Sequence, residues 1–269
     1  MKQLKGTLAV VTGAAMGMGK SLSQLLLAEG CKVALVDINK TGLEQTEKEL
    51  STIGECRSYV CDISSRDDIF KLAAKIEKDM GPVSILVNNA GIVNAAPVSD
   101  MPVETIEKII NINLTSQFWT VKAFLPSMMK QKEGHIVNFA SAGGILAIPN
   151  IAAYCASKFG VVGFTDALRQ EMKKQKTNIG VTMVCPNTVN TGMFNGSKMV
   201  AGTKMLTADS VCKKVLKGIK KNTAMVAVPS LPVKIVTPLT KVLMPIHAMD
   251  WMNKVLGMWD ANDTWKGRK

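Results

Sequence analysis

Tyr154 and Lys158 stand four residues apart in Ala153-Tyr154-Cys155-Ala156-Ser157-Lys158, and Ser141 precedes the tyrosine by thirteen positions. Four residues is about one helical turn, so the phenol and the ammonium would leave one face of a helix together. A phenol is a poor base near neutrality because its ordinary pKa is about 10. A cation beside it favours the phenolate. A Ser141 hydroxyl brought alongside would hold a carbonyl or alcohol oxygen in place. Three such groups suffice to move a proton on or off an alcohol oxygen while something else moves a hydride. Tyr and Lys at this spacing also arise by chance on many helices, so the pair means little until the rest of the chain positions it.

The first half of the 269 residues alternates short β-branched runs with longer amphipathic stretches. Thr7 to Val11, Lys32 to Val36, Ser58 to Val60, Ile85 to Val87, His135 to Asn138 and Gly180 to Val184 read as strands bounded by Gly, Pro or Asn. Lys20 to Gly30, Thr41 to Gly54, Arg66 to Met80 and Val103 to Gln131 read as helices between them. Strands alternating with helices predict an α/β fold, a doubly wound parallel sheet covered on both faces by right-handed crossovers. No linker or repeat interrupts the pattern, so residues 1–269 read as a single domain.

Composition narrows the function classes. Lys2 and Lys5 precede an apolar run, Leu8 to Val11, that ends in Thr12-Gly13, too soon for a signal-peptide core or a membrane span. Six cysteines without a C-x-x-C pair read as reduced thiols, and the expected location is the cytoplasm. Two histidines and no cysteine cluster leave a metal site little to work with. The net charge is +12, yet only four of the 33 basic residues are Arg and only 5% of residues are aromatic. Bidentate phosphate or base recognition and base stacking are thus poorly supplied, which excludes nucleic acid as the expected partner. The densest basic cluster, Lys213-Lys214 through Lys217 to Lys220-Lys221, has helical spacing and reads as a solvated helix face.

The strand-to-helix junctions carry the other chemistry. Thr12-Gly13-Ala14-Ala15-Met16-Gly17-Met18-Gly19 places three glycines where the first strand becomes the first helix. Glycine there allows a tight turn and a close approach of backbone to a pyrophosphate at the helix N-terminus. Asp37, followed by Ile38, closes the second strand; its carboxylate suits an adenosine ribose and repels a 2′-phosphate. With Met16 in the turn and no Arg beside Asp37, NAD is favoured over NADP, Lys40 being the residue that would weaken that preference if it turned inward. Asp62 and Ile63 end the third strand, where Asp62 would face the adenine, cap the following helix, or both. Asn88-Asn89-Ala90-Gly91 ends the fourth strand, and its amides can brace the sheet and line the cleft. Asn113 lies inside a helical pattern, an unfavourable place for Asn unless it bonds something specific.

Together these residues resemble the short-chain dehydrogenases/reductases in their single-domain Rossmann form. The match runs from Lys5 to about Met193: T-G-x-x-x-G-x-G at Thr12 to Gly19, Asp62, N-N-A-G at Asn88 to Gly91, Asn113, Ser141 and Y-x-x-x-K at Tyr154 to Lys158. The resemblance implies Tyr154 as general acid/base and Lys158 as the group that lowers its pKa and bonds the nicotinamide ribose. It also implies Ser141 as the group that orients the substrate oxygen and Asn113 as holder of a water in a proton relay. Cofactor contacts are expected from Gly13, Met16, Gly17, Met18, Gly19, Asp37, Ile38, Asp62, Ile63, Asn89, Ala90, Gly91, Asn187, Val189 and Thr191. The family usually reads P-G after its sixth strand. Here the run is Pro186-Asn187-Thr188-Val189-Asn190-Thr191, and Asn tolerates left-handed backbone angles better than most residues. The family usually oligomerises, so a homodimer or homotetramer is expected.

Residues of about 190–210 and 231–269 speak to the substrate. Met193 and Phe194 open a segment that continues through Met199, Met205 and Leu206. The ending, with Trp251, Trp259 and Trp265-Lys266-Gly267-Arg268, is similar to the close of the retinol and hydroxysteroid dehydrogenases. A Met-rich lining suits a bulky lipophilic ligand, whereas the same methionines would also fill a core or a subunit contact. Pro232, Pro238 and Pro245 limit the end to short helices that would cover the cleft, pack between subunits, or rest on a membrane surface. The expected activity is an NAD-dependent interconversion of a secondary alcohol and a ketone on a lipophilic substrate such as a hydroxysteroid. A retinol or long-chain alcohol dehydrogenase and a 3-ketoacyl-type reductase are the alternatives. A non-catalytic dinucleotide sensor is a distant one, since it would not need Ser141, Tyr154 and Lys158 together.

Overall fold

The structure, a computed structural model, describes residues 3–267, so Lys2 and Arg268 lie outside it. Its strands are β1 (Leu8–Thr12), β2 (Lys32–Asp37), β3 (Cys56–Val60), β4 (Val83–Asn88), β5 (Gly134–Phe139), β6 (Ile179–Pro186) and β7 (Met225–Val228). The helices are α1 (Gly17–Ala28), α2 (Lys40–Leu50), α3 (Arg66–Met80), α4 (Val103–Ile110), α5 (Ser116–Gln131), α6 (Ala152–Lys174), α7 (Ala208–Lys221), α8 (Thr237–Leu243) and α9 (Ile246–Val255). The seven strands form one parallel sheet in the order β3-β2-β1-β4-β5-β6-β7. The strand order reverses between β1 and β4, and in open parallel sheets a ligand crevice opens beyond the strand C-termini at such a point.

The sheet is apolar on both faces, as the near-continuous hydrophobic runs predict. Along β1, Ala9 and Val11 pack toward Leu22 and Leu26 of α1 and Val215 of α7. Leu8 and Val10 pack the opposite way, with Ile69 of α3, Phe124 and Met128 of α5 and Leu168 of α6. Each fully buried aliphatic side chain of this kind contributes about 1.5–3 kcal/mol relative to exposure. The two layers hold the C-terminal ends of β1, β2, β4 and β5 side by side, and the motif residues sit at those ends.

Two expectations change. The strand β7 is only four residues long, too short for its alternation to stand out beside the Lys-rich helix before it. The single helix expected from Val103 to Gln131 is two helices joined by a π-helical turn, Asn111–Thr115. That turn contains Asn113, and such bulges within helices are frequent at functional sites. The lysines of α7 do form a solvated face, with Lys213 paired to Asp209 and Lys220 to Glu29. All six cysteines are buried free thiols.

Candidate active site

Tyr154 and Lys158 emerge from the first turns of α6, and both side chains are buried. Ser141 follows β5, where its Oγ accepts a hydrogen bond from the Gly143 N–H at 3.1 Å and bonds the Tyr154 hydroxyl. Phe194 stands edge-on to the Tyr154 ring, with centroids 5.7 Å apart. The Lys158 ammonium donates to the Phe139 carbonyl at 2.8 Å and lies 5.7 Å from the Tyr154 ring centre.

The electrostatics add a strong effect of burial to the Tyr–Lys pair. Burial pushes the Tyr154 phenol up to about 12, and the Ser141 hydrogen bond only partly opposes it. Burial also brings Lys158 down to about 8. Burial on its own thus favours the protonated phenol. The ammonium meanwhile holds the Phe139 carbonyl through one of its three protons. A water-poor site of this kind strengthens whatever charge enters it.

Asn113 is fully buried, and both of its amide hydrogens are engaged. Its Oδ1 accepts from Ile92 N at 2.8 Å, while its Nδ2 donates to Ile92 O at 2.9 Å and to Ser157 Oγ at 3.0 Å. Ser157 in turn donates to Tyr154 O at 2.7 Å. The amide thus ties the β4–α4 loop to the helix that carries both Tyr154 and Lys158. A relay water would have to be held by something other than this amide's own donors. Ser157, which lies between the motif residues of its helix, shows its part only through these contacts.

At the other end of the crevice, Gly13, Gly17 and Gly19 form a cradle that side chains would fill. A Cβ on Gly19 would collide with the Gly13 carbonyl oxygen, and one on Gly13 would meet Asn89 Nδ2 at 2.8 Å. Gly17 takes φ +58°, a left-handed angle that glycine adopts without strain. The N-terminus of α1 has no side-chain cap and no acidic residue in its first turn, so its N–H groups suit an anion. Two hydroxyl and amide groups stiffen this turn: Asn89 Nδ2 donates to Thr12 O at 2.9 Å, and Thr12 Oγ1 accepts from Asn89 N and Ala90 N, each at 3.1 Å. Thr12 was legible as part of the motif but not as its brace. Asp37 Oδ2 accepts from Ala15 N at 3.0 Å and Oδ1 from Asn39 N at 2.9 Å. It braces the glycine turn while keeping spare lone pairs for a ribose. Lys40 pairs with Glu44 and does not turn inward.

The remaining cofactor candidates divide. Gly91, Asn89, Met18, Asn187, Val189 and Thr191 line one cavity with Lys158, a Cβ on Gly91 would come within 3.6 Å of the Lys158 ammonium, and Ala90 adjoins them. Met16, the N-cap of α1, and Ile38 are exposed beside the crevice. Ile63 packs into the core, so only its backbone is available to a ligand. Asp62 does not cap α3: it accepts from Ser64 N at 2.9 Å, and Ser65 caps the helix by accepting from Asp68 N. Asn187 keeps the local turn by accepting from Thr188 N at 2.9 Å.

The crevice widens beyond Tyr154 into a cavity of about 330 Å³. Met193 and Phe194 line it, as expected. Met205 is instead exposed, and Leu206 packs against the core, so the methionine lining comes mostly from elsewhere. It is supplied by Met249, Met252 and Met258, with Val233, Val236 and Leu256, from the closing segment. That segment is therefore a cover over the cleft. It is stitched to the 193–201 loop: Trp265 Nε1 donates to Met193 O at 3.1 Å, Lys198 N to Ala261 O at 2.8 Å and Ala201 N to Leu256 O at 3.0 Å. These lining residues are scattered over short helices, so no linear motif announces them.

The family model described as short chain dehydrogenase matches residues 7–199. The chain belongs to this family. Human estradiol 17-beta-dehydrogenase 11 is 38% identical over 244 residues, covering 90% of this chain and 81% of that protein. Human epidermal retinol dehydrogenase 2 is 40% identical over 199 residues, covering 72% of this chain and 64% of that one. Among solved structures, a short chain dehydrogenase/reductase from Burkholderia phymatum in complex with NAD superposes with a TM-score of 0.82 at 23% identity, covering 94% and 97% of the two chains. As a short-chain dehydrogenase/reductase, the protein is an NAD(P)-dependent oxidoreductase acting on CH–OH groups. Among the described residues no group of His, Cys, Asp and Glu could hold a metal ion, and no helix is long and apolar enough to cross a membrane.

Proposed function

We propose that this enzyme interconverts a secondary alcohol and a ketone on a lipophilic, hydroxysteroid-type substrate, with NAD as the preferred cofactor. The observation that carries the reading is the position of Tyr154, Ser141 and Lys158 at the wall of a cavity whose lining is mainly apolar, with Met, Ile, Val and Leu prominent in it. Such a lining recognises an apolar body by repacking around it, while a few polar groups fix one oxygen. The similarity to an estradiol 17-beta-dehydrogenase supports a steroid-like body. The similarity to a retinol dehydrogenase makes a retinoid the second arm of the test.

Bound NAD would supply the hydride acceptor. The glycine cradle would seat its pyrophosphate and Asp37 its adenosine ribose, where the negative charge disfavours a 2′-phosphate. Ser141 Oγ would hold the substrate oxygen, and Tyr154 would take the hydroxyl proton in oxidation or return it in reduction. Lys158 would stabilise the phenolate and reach the nicotinamide ribose. Asn113 would act by positioning α6. The six reduced, buried thiols support a cytoplasmic enzyme. The exposed Phe118, stacked on Phe164 at 3.9 Å on the outside of α5 and α6, supports a homo-oligomer through that face. A hydride-transfer screen with NAD and NADP against steroid, bile-acid, retinoid and aliphatic alcohols tests the reading. Turnover confined to short polar alcohols would sink it.

A further inference from the structure

The cover over the cleft has an outer face that none of the described residues buries. Val242 is 81% exposed, Ile246 71%, Leu243 69% and Trp251 67%, with Leu231, Ile235, Leu239 and Val255 beside them in sequence and likewise exposed. Monomeric soluble proteins rarely leave this many large apolar side chains open along one segment. We propose that this face, formed by the π-helical turn Pro232–Val236, α8 and α9, rests on the surface of an anionic phospholipid bilayer.

Charge selects the bilayer over a second copy of the chain. Residues 231–259 carry Lys234 and Lys254, with Lys241 engaged by Ile145 and Phe159, against a lone acid, Asp250, on a protein of net charge +12. A two-fold contact through this face would bury the lysines of both copies together, and interface cores are depleted of charge. A bilayer surface accepts the same pattern: apolar side chains enter the acyl boundary, lysines meet anionic head groups, and Trp251 lies at the level between them. The helices are short and broken by prolines, as suits lying on a surface.

The face also leads to the cavity. Pro232 and Val236 are exposed on the outside and line the cavity on the inside. Lys241 fastens α8 over it by donating to the Ile145 carbonyl at 3.1 Å and lying over the Phe159 ring at 4.3 Å. On the lipophilic-substrate reading, a molecule dissolved in the bilayer would enter between these residues without crossing water.

The test is sedimentation of the full chain with phosphatidylcholine vesicles, with and without about 30 mol % phosphatidylserine. Wild type should pellet with the anionic vesicles. The double variant V242E/I246E, at positions that do not line the cavity, should lose about tenfold or more in partitioning, and K234Q/K254Q several-fold. Both variants should retain the wild-type circular dichroism spectrum and NAD binding. Wild type left in the supernatant, or pelleting equally well on neutral vesicles, would overturn the proposal. A fall of V242E/I246E to half the wild-type mass in gel filtration, with no vesicle binding by wild type, would assign the face to a second copy instead. Because sedimentation needs no substrate, its outcome is separate from that of the alcohol screen.

Discussion

The two ends of the crevice are built on different principles. At the cofactor end, three glycines, Thr12, Asp37 and Asn89 form a lattice of hydrogen bonds in which most groups contact backbone. At the substrate end, methionines and aliphatic residues from α9 and the loop before α7 enclose space by packing. Backbone lattices tolerate one residue type per position, while apolar packing tolerates many of similar volume. The contrast teaches where specificity is rigid and where it can drift.

The sharpest way to break the contrast is at the seam between the ends. Tyr154→Phe should keep the fold and NAD affinity while turnover falls by roughly a thousandfold, because only the proton-transfer group is removed. Near-normal turnover, read in steady-state kinetics beside a circular dichroism spectrum, would remove Tyr154 from the chemistry. Gly19→Ala comes next. Its Cβ would collide with the Gly13 carbonyl, so NAD affinity should drop by about a hundredfold in calorimetry, roughly 2.7 kcal/mol. Tight binding by that variant would show that the lattice is not rigid.

Asp37→Asn keeps an acceptor for the Ala15 N–H but removes the charge. The NAD-to-NADP preference should relax by about tenfold in kcat/KM, and an unchanged ratio would mean that Asp37 serves only the turn. At the packed end, Met252→Leu conserves volume and should alter KM by no more than a few-fold with kcat unchanged. A larger effect would mean that this end is as exacting as the other.

The smallest effect is expected far from both ends. His135 on β5 is fully buried beside Thr182, 2.8 Å from its Oγ1, and burial lowers its pKa from 6.5 to about 3. A depressed folded-state value means that its contribution is complete above pH 6.5 and is lost as pH falls toward 3. His135→Gln should flatten the loss of urea midpoint between about pH 6.5 and 5, where few carboxylates yet titrate. An identical slope would place the acid sensitivity elsewhere.

The cofactor end was largely legible because its constraints are local. A strand that turns tightly into a helix against a phosphate needs glycine, and an acid at the next strand end follows in sequence order. The substrate end was not legible, because its lining joins residues 139–151, 187–203 and 232–262 through contacts that no short spacing encodes. The strand β7 escaped for a related reason: an edge strand of four residues gains its identity from pairing with β6. Asn113 shows the intermediate case. Its awkwardness in a helical pattern signalled a specific partner, yet only the fold revealed Ile92 and Ser157.

By itself, the sequence determined the doubly wound sheet, the glycine turn and the order of Ser141, Tyr154 and Lys158, since periodicity, turn chemistry and short spacings are properties of the chain. Tertiary structure decided the state of those groups. Whether a phenol ionises depends on the water removed around it and on where a lysine spends its hydrogen bonds, and Lys158 spends one on Phe139. It also decided that the closing segment is a cover with one face on the cavity and the other open, because a helix face has meaning only against what packs beneath it.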